Sequence, residues 1–344
     1  PAVTTELFPL HATASTTPPL SLLARVQRFQ EEHLESYLQR SRSSPLQFTL
    51  KRCMRGTLHV IDKDSFPVIS EAYKHPFCSY ATERISKCGI SSSELSLMSK
   101  FISEQLQEHG PANAVSITKL VKEKGKASIK VKNYELGTGK NPLVRSNVGI
   151  ALDVLYSQSE IHYGLDTSDS SWSSSRRLYG MATMHAPDSD LYPSPTRIAE
   201  ATAIHDLAAW YFQRYGPASL QDFVWWSAKK ITVCRPVVND LISHNYLTTV
   251  EVATMPQQLY MWTPYLSDLV NTVDEMPNFV RFLPYEDALI KAYKETRYRY
   301  MYSSNTADET VGDDEAMNKF VISGGEAAPT VWVDGQIIGR WSWN

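Results

Sequence analysis

The sequence is short of the features that announce a function. Its 344 residues hold only four cysteines, Cys53, Cys78, Cys88 and Cys234. None of them make a CxxC pair, and their spacing excludes the common zinc modules. Reduced, buried thiols are the expectation. No run approaches the ~20 apolar residues that a membrane helix requires. No basic stretch followed by an apolar one marks a secretory leader. The expected setting is soluble and intracellular, either a bacterial cytoplasm or a eukaryotic nucleus. An excess of basic charge is missing too. Thirty-four Lys and Arg face 37 Asp and Glu, for a net charge of -3. That excludes a uniformly basic chain but not a basic face, and it is local charge that a polyanion meets. There is no P-loop and no GxGxxG, so nucleotide-binding motifs are absent. "GTGK" at 137–140 is too short to count and reads as a turn.

What is present is the composition of a folded protein, 42% hydrophobic and 21% charged. The length exceeds one ordinary core and suggests two to four modules. After Pro18 and Pro19, "LSLLARVQRFQEEHLESYLQR" repeats apolar residues at helical intervals. A short basic segment and a β-rich "RGTLHVI" follow. Helix, basic segment, then strand is the order of a winged helix. "SSSELSLMSKFISEQLQEHG" opens on a serine cap. "NPLVRSNVGIALDVLYSQSEIHYG" is a helix leading to a strand, and "SDSSWSSSRRLYGMATM" reads as a polar loop with a returning strand. A third round begins at "SPTRIAEATAIHDLAAWYFQRYG", with Ser194 as cap and Pro195 at the first helical position. It ends in "TVCRPVVNDLISHNYLTTVEV" and "QQLYMWTPY".

The phrases "HGPANAVSITKLVKEKG" and "YGPASLQDFVWWSAKK" are parallel, which points to copies of one helix–GPA–helix unit. The last part is different: "FVRFLPYEDALIKAY", "KFVISGG" and "PTVWVDGQIIGRWSW" are β-rich, with a hairpin signal at "DGQ". The acidic "MYSSNTADETVGDDEAMN" between them reads as a surface loop. Modules are therefore expected at 1–92, 93–190, 191–275 and 276–344.

Near the start stands "LHAT", residues 10–13. In extended backbone, residues two apart point to one side, so His11 and Thr13 would share a space.

Four phrases in order, "MRGTLHVID", "RYGPASLQDFVWWSAKK", "VRFLPYEDALIKAYKETR" and "PTVWVDGQIIGRW", resemble the winged-helix DNA-binding family of AlkZ- and YcaQ-type DNA glycosylases. The resemblance spans nearly the whole chain. It implies an α+β protein in which tandem winged-helix domains and a C-terminal β-rich domain form a C-shaped clamp around duplex DNA. It further implies a monomer that excises N7-alkylated or bulky purines, or unhooks interstrand crosslinks, with water alone and no cofactor or metal. The family's catalytic signature is Gln, an apolar residue, then Gln or Asp. Here His11-Ala12-Thr13 stands in that place.

A histidine that titrates near neutrality positions a water and also takes its proton. His11 is thus the expected catalytic residue, with Thr13 holding the same water. His59 and Asp287 are expected to line the clamp. Lys51, Arg52 and Arg55, then Arg176 and Arg177, then Lys229, Lys230 and Arg235 are the expected phosphate contacts, one cluster per module. Of Trp225 and Trp226, helical spacing puts one in the core. A hydrolytic, monofunctional glycosylase is the leading reading. The alternative is a non-catalytic winged-helix DNA-binding protein that shields damage or regulates. A clamp repurposed for a small molecule is the third.

Overall fold

The computed structural model describes residues 9–30, 32–34, 48–62, 64–73, 89–125, 129–136, 143–158, 160–165, 177–181, 198–253, 255–267, 279–301, 320–322 and 326–343. The fold mixes helix and strand. In chain order, β1 (Leu10–His11) precedes α1 (Thr17–Leu23) and β2 (Phe48–Arg52). A 3-10 turn at Met54–Gly56 leads to β3 (Leu58–Asp62) and α2 (Phe66–Ala72). Then come α3 (Ser92–His109), α4 (Ala114–Lys124), β4 (Asn133–Leu136), β5 (Leu143–Ser146) and α5 (Asn147–Ser157). Next are β6 (Ile161–Leu165), β7 (Arg177–Met181), α6 (Glu200–Tyr215), α7 (Leu220–Ser227) and α8 (Ile231–Ser243). β8 (Leu247–Val252), β9 (Met255–Trp262), β10 (Val280–Leu283) and α9 (Ala288–Lys291) follow. The short strands β11 (Val321–Ile322), β12 (Glu326–Ala327), β13 (Thr330–Val333) and β14 (Gln336–Arg340) come last.

The chain forms two compact units. One gathers Pro1–Leu34, Arg52–Asp62 and Ile198–Asn344; the other Glu35–Lys51 and Lys63–Arg197.

Within the second unit, α3 follows the cap anticipated for it: the Ser91 side chain accepts the Glu94 N–H at 3.1 Å. Its buried residues Leu95, Met98, Ile102 and Leu106 recur at three and four positions. α4 is capped by Asn113 and α5 by Ser146. β6 pairs antiparallel with β7. The first unit repeats the plan. α6 buries Ile204, Leu207, Tyr211, Phe212 and Tyr215. α7 opens on a capping box in which Ser219 and Asp222 satisfy each other's backbone N–H. α8 leads to the antiparallel pair β8–β9.

The parallel GPA phrases have parallel structures. Ala112 exchanges two backbone hydrogen bonds, 3.0 and 2.9 Å, with Tyr179 on β7. Ala218 does the same, at 3.0 and 2.8 Å, with Tyr260 on β9. In each copy the alanine staples the turn between two helices onto the returning strand.

Three expectations meet differences. The helix expected over "LSLLARVQRFQEEHLESYLQR" begins earlier, at Thr17, and α1 stops at Leu23; Arg28 takes a left-handed conformation, φ 56°. The β-rich "FVRFLPYEDALIKAY" is strand only to Leu283, because Asp287 accepts the Leu289 N–H at 3.0 Å and starts α9. α6 begins at Glu200, with Ala199 at its N-cap. The Ser194–Pro195 cap, Cys78, Cys88 and the acidic loop before Phe320 lie outside the described residues.

In the C-terminal part β13 and β14 form the hairpin signalled by "DGQ". Asp334 and Gly335 both have positive φ, 48° and 81°, as a two-residue primed turn requires. Leu283, Ile290, Ala327, Trp332 and Ile337 make the core of this part. Among the described residues no helix is long and apolar enough to cross a membrane.

Candidate active site

The site is built wholly within the first unit. β1 pairs antiparallel with β3, which sets His11 directly opposite His59. Their rings meet edge to face, centroids 5.3 Å apart at 89°. Both histidines are 5% exposed. The turn between β10 and α9 brings Glu286 to them: His11 Nε2 lies 3.6 Å from Glu286 Oε2. Lys291, at the end of α9, reaches the same oxygen at 3.0 Å. With Arg55 and Trp226 these groups enclose a cavity of about 20 Å³, room for roughly one water molecule.

Two residues of this enclosure carry backbone strain. Arg55 (φ 52°) and Glu286 (φ 57°) are both left-handed. For a residue with a side chain this costs about 1–3 kcal/mol, and it persists where the surroundings over-determine it. The reason is visible at Glu286. Its N–H donates to the Ala327 carbonyl at 2.9 Å, and its Oε1 accepts the Ala327 N–H at 2.5 Å. Main chain and side chain are thus both held by one residue of β12, which leaves Oε2 to face Lys291 and His11.

His59 Nδ1 lies 3.0 Å from the Thr57 carbonyl and 3.1 Å from Cys53 Sγ. A carbonyl only accepts, so Nδ1 carries the proton and Nε2 is left as an acceptor. Burial first, and then the neighbouring His11, hold the His59 pKa well below 6.5. The ring is therefore neutral at physiological pH. Burial, with Arg55 next in weight, brings the Lys291 ammonium down to about 8, although Glu286 favours its charge.

The site-forming positions divide clearly. His11, His59 and Arg55 come together at the cavity. Thr13 does not: β1 ends at His11, so the alternation that would turn Thr13 to the same side does not reach it. Thr13 is exposed, and its Oγ1 instead accepts the Leu58 N–H at 3.1 Å. Asp287 is also displaced from its expected role. It is fully buried, and its carboxylate accepts from Ser21 Oγ at 3.0 Å and from Arg25 at 2.7 and 2.9 Å. It fastens α1 to the turn that carries Glu286.

The basic clusters divide as well. Lys51 is buried, its Nζ 5.2 Å from the Phe66 ring and 5.4 Å from that of Tyr156, which corrects its reading as a surface phosphate contact. Arg52 is half-buried and donates to the Gly56 carbonyl at 3.0 Å. Arg55 donates to the Trp225 carbonyl at 3.3 Å. Lys229 is half-buried, and burial lowers its pKa. Lys230 and Arg235 are exposed, at the N-cap and on the first turns of α8. Arg176 lies outside the described residues, and so does the Arg177 side chain. Trp226 is the core member of its pair, 5.0 Å from the Tyr211 ring, and Trp225 is half-buried.

Glu286 and Lys291 are the residues that sequence reasoning missed as site groups. The signal available was only their place in "LPYEDALIK". Among the described residues no group of three or more His, Cys, Asp or Glu is placed to hold a metal ion.

Comparisons with known proteins complete the picture. The chain matches the solved structure of the Streptomyces sahachiroi DNA glycosylase AlkZ with a TM-score of 0.66 and 17% identity, covering 99% of this chain and 81% of that one. This is a likeness of fold. No curated protein sequence matches. A family model for AlkZ-like DNA glycosylases matches residues 6–344. Over nearly its whole length, then, the chain belongs to the AlkZ-like DNA glycosylase family.

Proposed function

We propose that this chain is a monofunctional DNA glycosylase that hydrolyses the N-glycosidic bond of N7-alkylated or bulky purines in duplex DNA, crosslinked purines included. It acts as a monomer, and its repeated helix–hairpin modules are winged helices that grip the duplex. The observation that carries this reading is the His11–Glu286–Lys291 constellation on a water-sized cavity. Such a cavity holds a water only where two to four polar groups receive it. His11 and His59 Nε2 accept its two hydrogens, with Glu286 behind His11.

An N7-alkylated purine is already cationic. When the glycosidic bond breaks, its electron pair goes to the purine and neutralises that charge, so the leaving group needs little help. The difficult part is the positive charge that grows on the sugar and the delivery of water to C1′. His11 takes the proton from the attacking water. The resulting imidazolium faces Glu286, 3.6 Å away, which stabilises it. Lys291, 3.0 Å away, holds the carboxylate in place. His59, neutral, holds the water as an acceptor. Thr13 serves by fastening β1 to β3, which fixes the height of His11. The Lys291 amine is engaged at 3.0 Å by Glu286, which favours water as the nucleophile over a lysine adduct.

The test is incubation with duplex DNA carrying N7-methylguanine or a nitrogen-mustard crosslink, scored for abasic sites by alkaline cleavage. Base release, with no borohydride-trapped adduct, supports the reading. Binding without release on every lesion sinks it in favour of the second reading, a non-catalytic protein that shields damage. That reading draws its support from Thr13, whose hydroxyl is committed to Leu58.

A further inference from the structure

Four cations gather round one indole. Arg55 Cζ lies 4.7 Å from the Trp225 ring centre, Lys294 Nζ 5.3 Å, Lys291 Nζ 5.6 Å and Arg297 Cζ 5.9 Å. A cation on an indole face is stabilised by roughly 0.5–2 kcal/mol. One such contact explains one cation, not four. Their mutual repulsion is visible: after burial, the charge of Arg55 is among the causes that bring Lys291 down to about 8 and Arg297 down to about 10.

Two buried carboxylates lie near and favour the Arg297 charge, but they are fewer than the four cations and their oxygens are already engaged. Glu286 is shared between Lys291, His11 and the Ala327 N–H. Asp222 is fully buried and accepts the N–H groups of Ser219, Lys294, Glu295 and Thr296 together with the Thr296 hydroxyl. Glu295 is exposed.

Two donors at the cluster are unmet. Arg297 is 5% exposed; its Nε donates to the Tyr293 carbonyl at 2.7 Å, but its Nη2 finds no acceptor among the described residues. The Trp225 Nε1–H is buried and finds none either. A buried donor left unmade costs about 1–3 kcal/mol. Two such donors beside an excess of positive charge call for an anion with several acceptor oxygens. Arg55 and Lys291 also line the His11 cavity, so the anion belongs beside the reacting sugar. Lys294 is exposed and marks the side of approach.

We propose that Arg55, Lys291, Lys294 and Arg297, with the Trp225 indole N–H, form a phosphodiester site that grips the DNA backbone next to the nucleotide being cleaved. This rests on the glycosylase reading. The phosphate takes up the unmet donors, compensates the repulsion between the cations, and sets C1′ against the water at His11.

The test follows the Trp225 indole N–H signal by nuclear magnetic resonance, assigned by its loss in Trp225→Phe, as lesion-free duplex or inorganic phosphate is added. In parallel, the salt dependence of duplex binding is measured for wild type and Lys294→Gln, whose exposed position spares the fold. A shift of the indole signal with duplex, and a salt slope lower by about 1 in Lys294→Gln, support the site. An unmoved signal and an unchanged slope, in a protein that still binds and excises, overturn it and leave the glycosylase reading standing. A shift with inorganic phosphate but none with duplex also overturns it. If wild type binds no duplex at all, the glycosylase reading falls, and this site falls with it.

Discussion

The two helix–GPA–helix modules share a staple and differ in what their acidic residues do. In each, an acid lies three residues after a serine cap: Glu94 after Ser91 on α3, and Asp222 after Ser219 on α7. Glu94 accepts Lys132 Nζ at 3.0 Å, with the Tyr134 hydroxyl and Asn147 Nδ2 each at 3.1 Å, and stays open to water. Asp222 is sealed and takes five donors, most of them from residues 294–296. The second module therefore immobilises the segment that carries Lys294 and Arg297, and it brings Trp226 to the His11 cavity. The two acids sit on different helices of their modules, Glu94 before the GPA turn and Asp222 after it, and the first is a pliant clasp while the second is a rigid one. In the mechanism proposed above, that rigidity lies where a sugar and a water are aligned.

This contrast can be broken by experiment. The largest effect is expected for Asp222→Ala, which strands five donors and costs about 4 kcal/mol, read as a lower urea midpoint at unchanged slope. Glu94→Ala should shift the midpoint far less, and less again in salt, because water replaces its partners. Equal losses would remove the distinction between the modules. Next comes Asp287→Ala. It leaves Arg25 beside an empty, buried space and should cost about 3 kcal/mol. Base release should fall further than stability alone explains, since the turn bearing Glu286 loosens.

Lys291 sharpens the contrast through pH. Its folded pKa, about 8, lies below its unfolded value of 10.5. Between those values the unfolded chain holds more protons, so stability contributed by this group rises with pH across that window. Lys291→Met should flatten the rise in urea midpoints measured from pH 8 to 10.5. The smallest effect is at Glu94. Burial pushes its pKa up, but the hydrogen bonds from Lys132, Asn147 and Tyr134 outweigh that, and the net shift is downward. Its contribution is complete above about 4.5 and is lost as pH falls through the folded value. Glu94→Gln should blunt the acid limb of the stability curve and nothing else.

Much of the frame could be read from residues alone. The GPA repeat, the Ser91 cap and the "DGQ" turn are local signals, and each is met by the structure. The place of His11 came through the family resemblance and not from spacing. What stayed hidden is long-range or conformational. Glu286 is distant from His11 in sequence and meets it through a left-handed turn that no glycine announces. Thr13 was misplaced because a two-residue period holds only while a strand continues. Lys51 looked like a surface cation, but its ammonium lies over Phe66 and Tyr156, a contact that exists only once the chain has folded.

The central claim is that His11, backed by Glu286, activates the hydrolytic water. The most direct measurement is the single-turnover rate of N7-methylguanine release by His11→Ala, with duplex affinity determined on the same samples. The account predicts a rate at least 100-fold lower than wild type, about 2.7 kcal/mol of lost transition-state stabilisation, with affinity unchanged. A rate within a fewfold of wild type at equal affinity would contradict it.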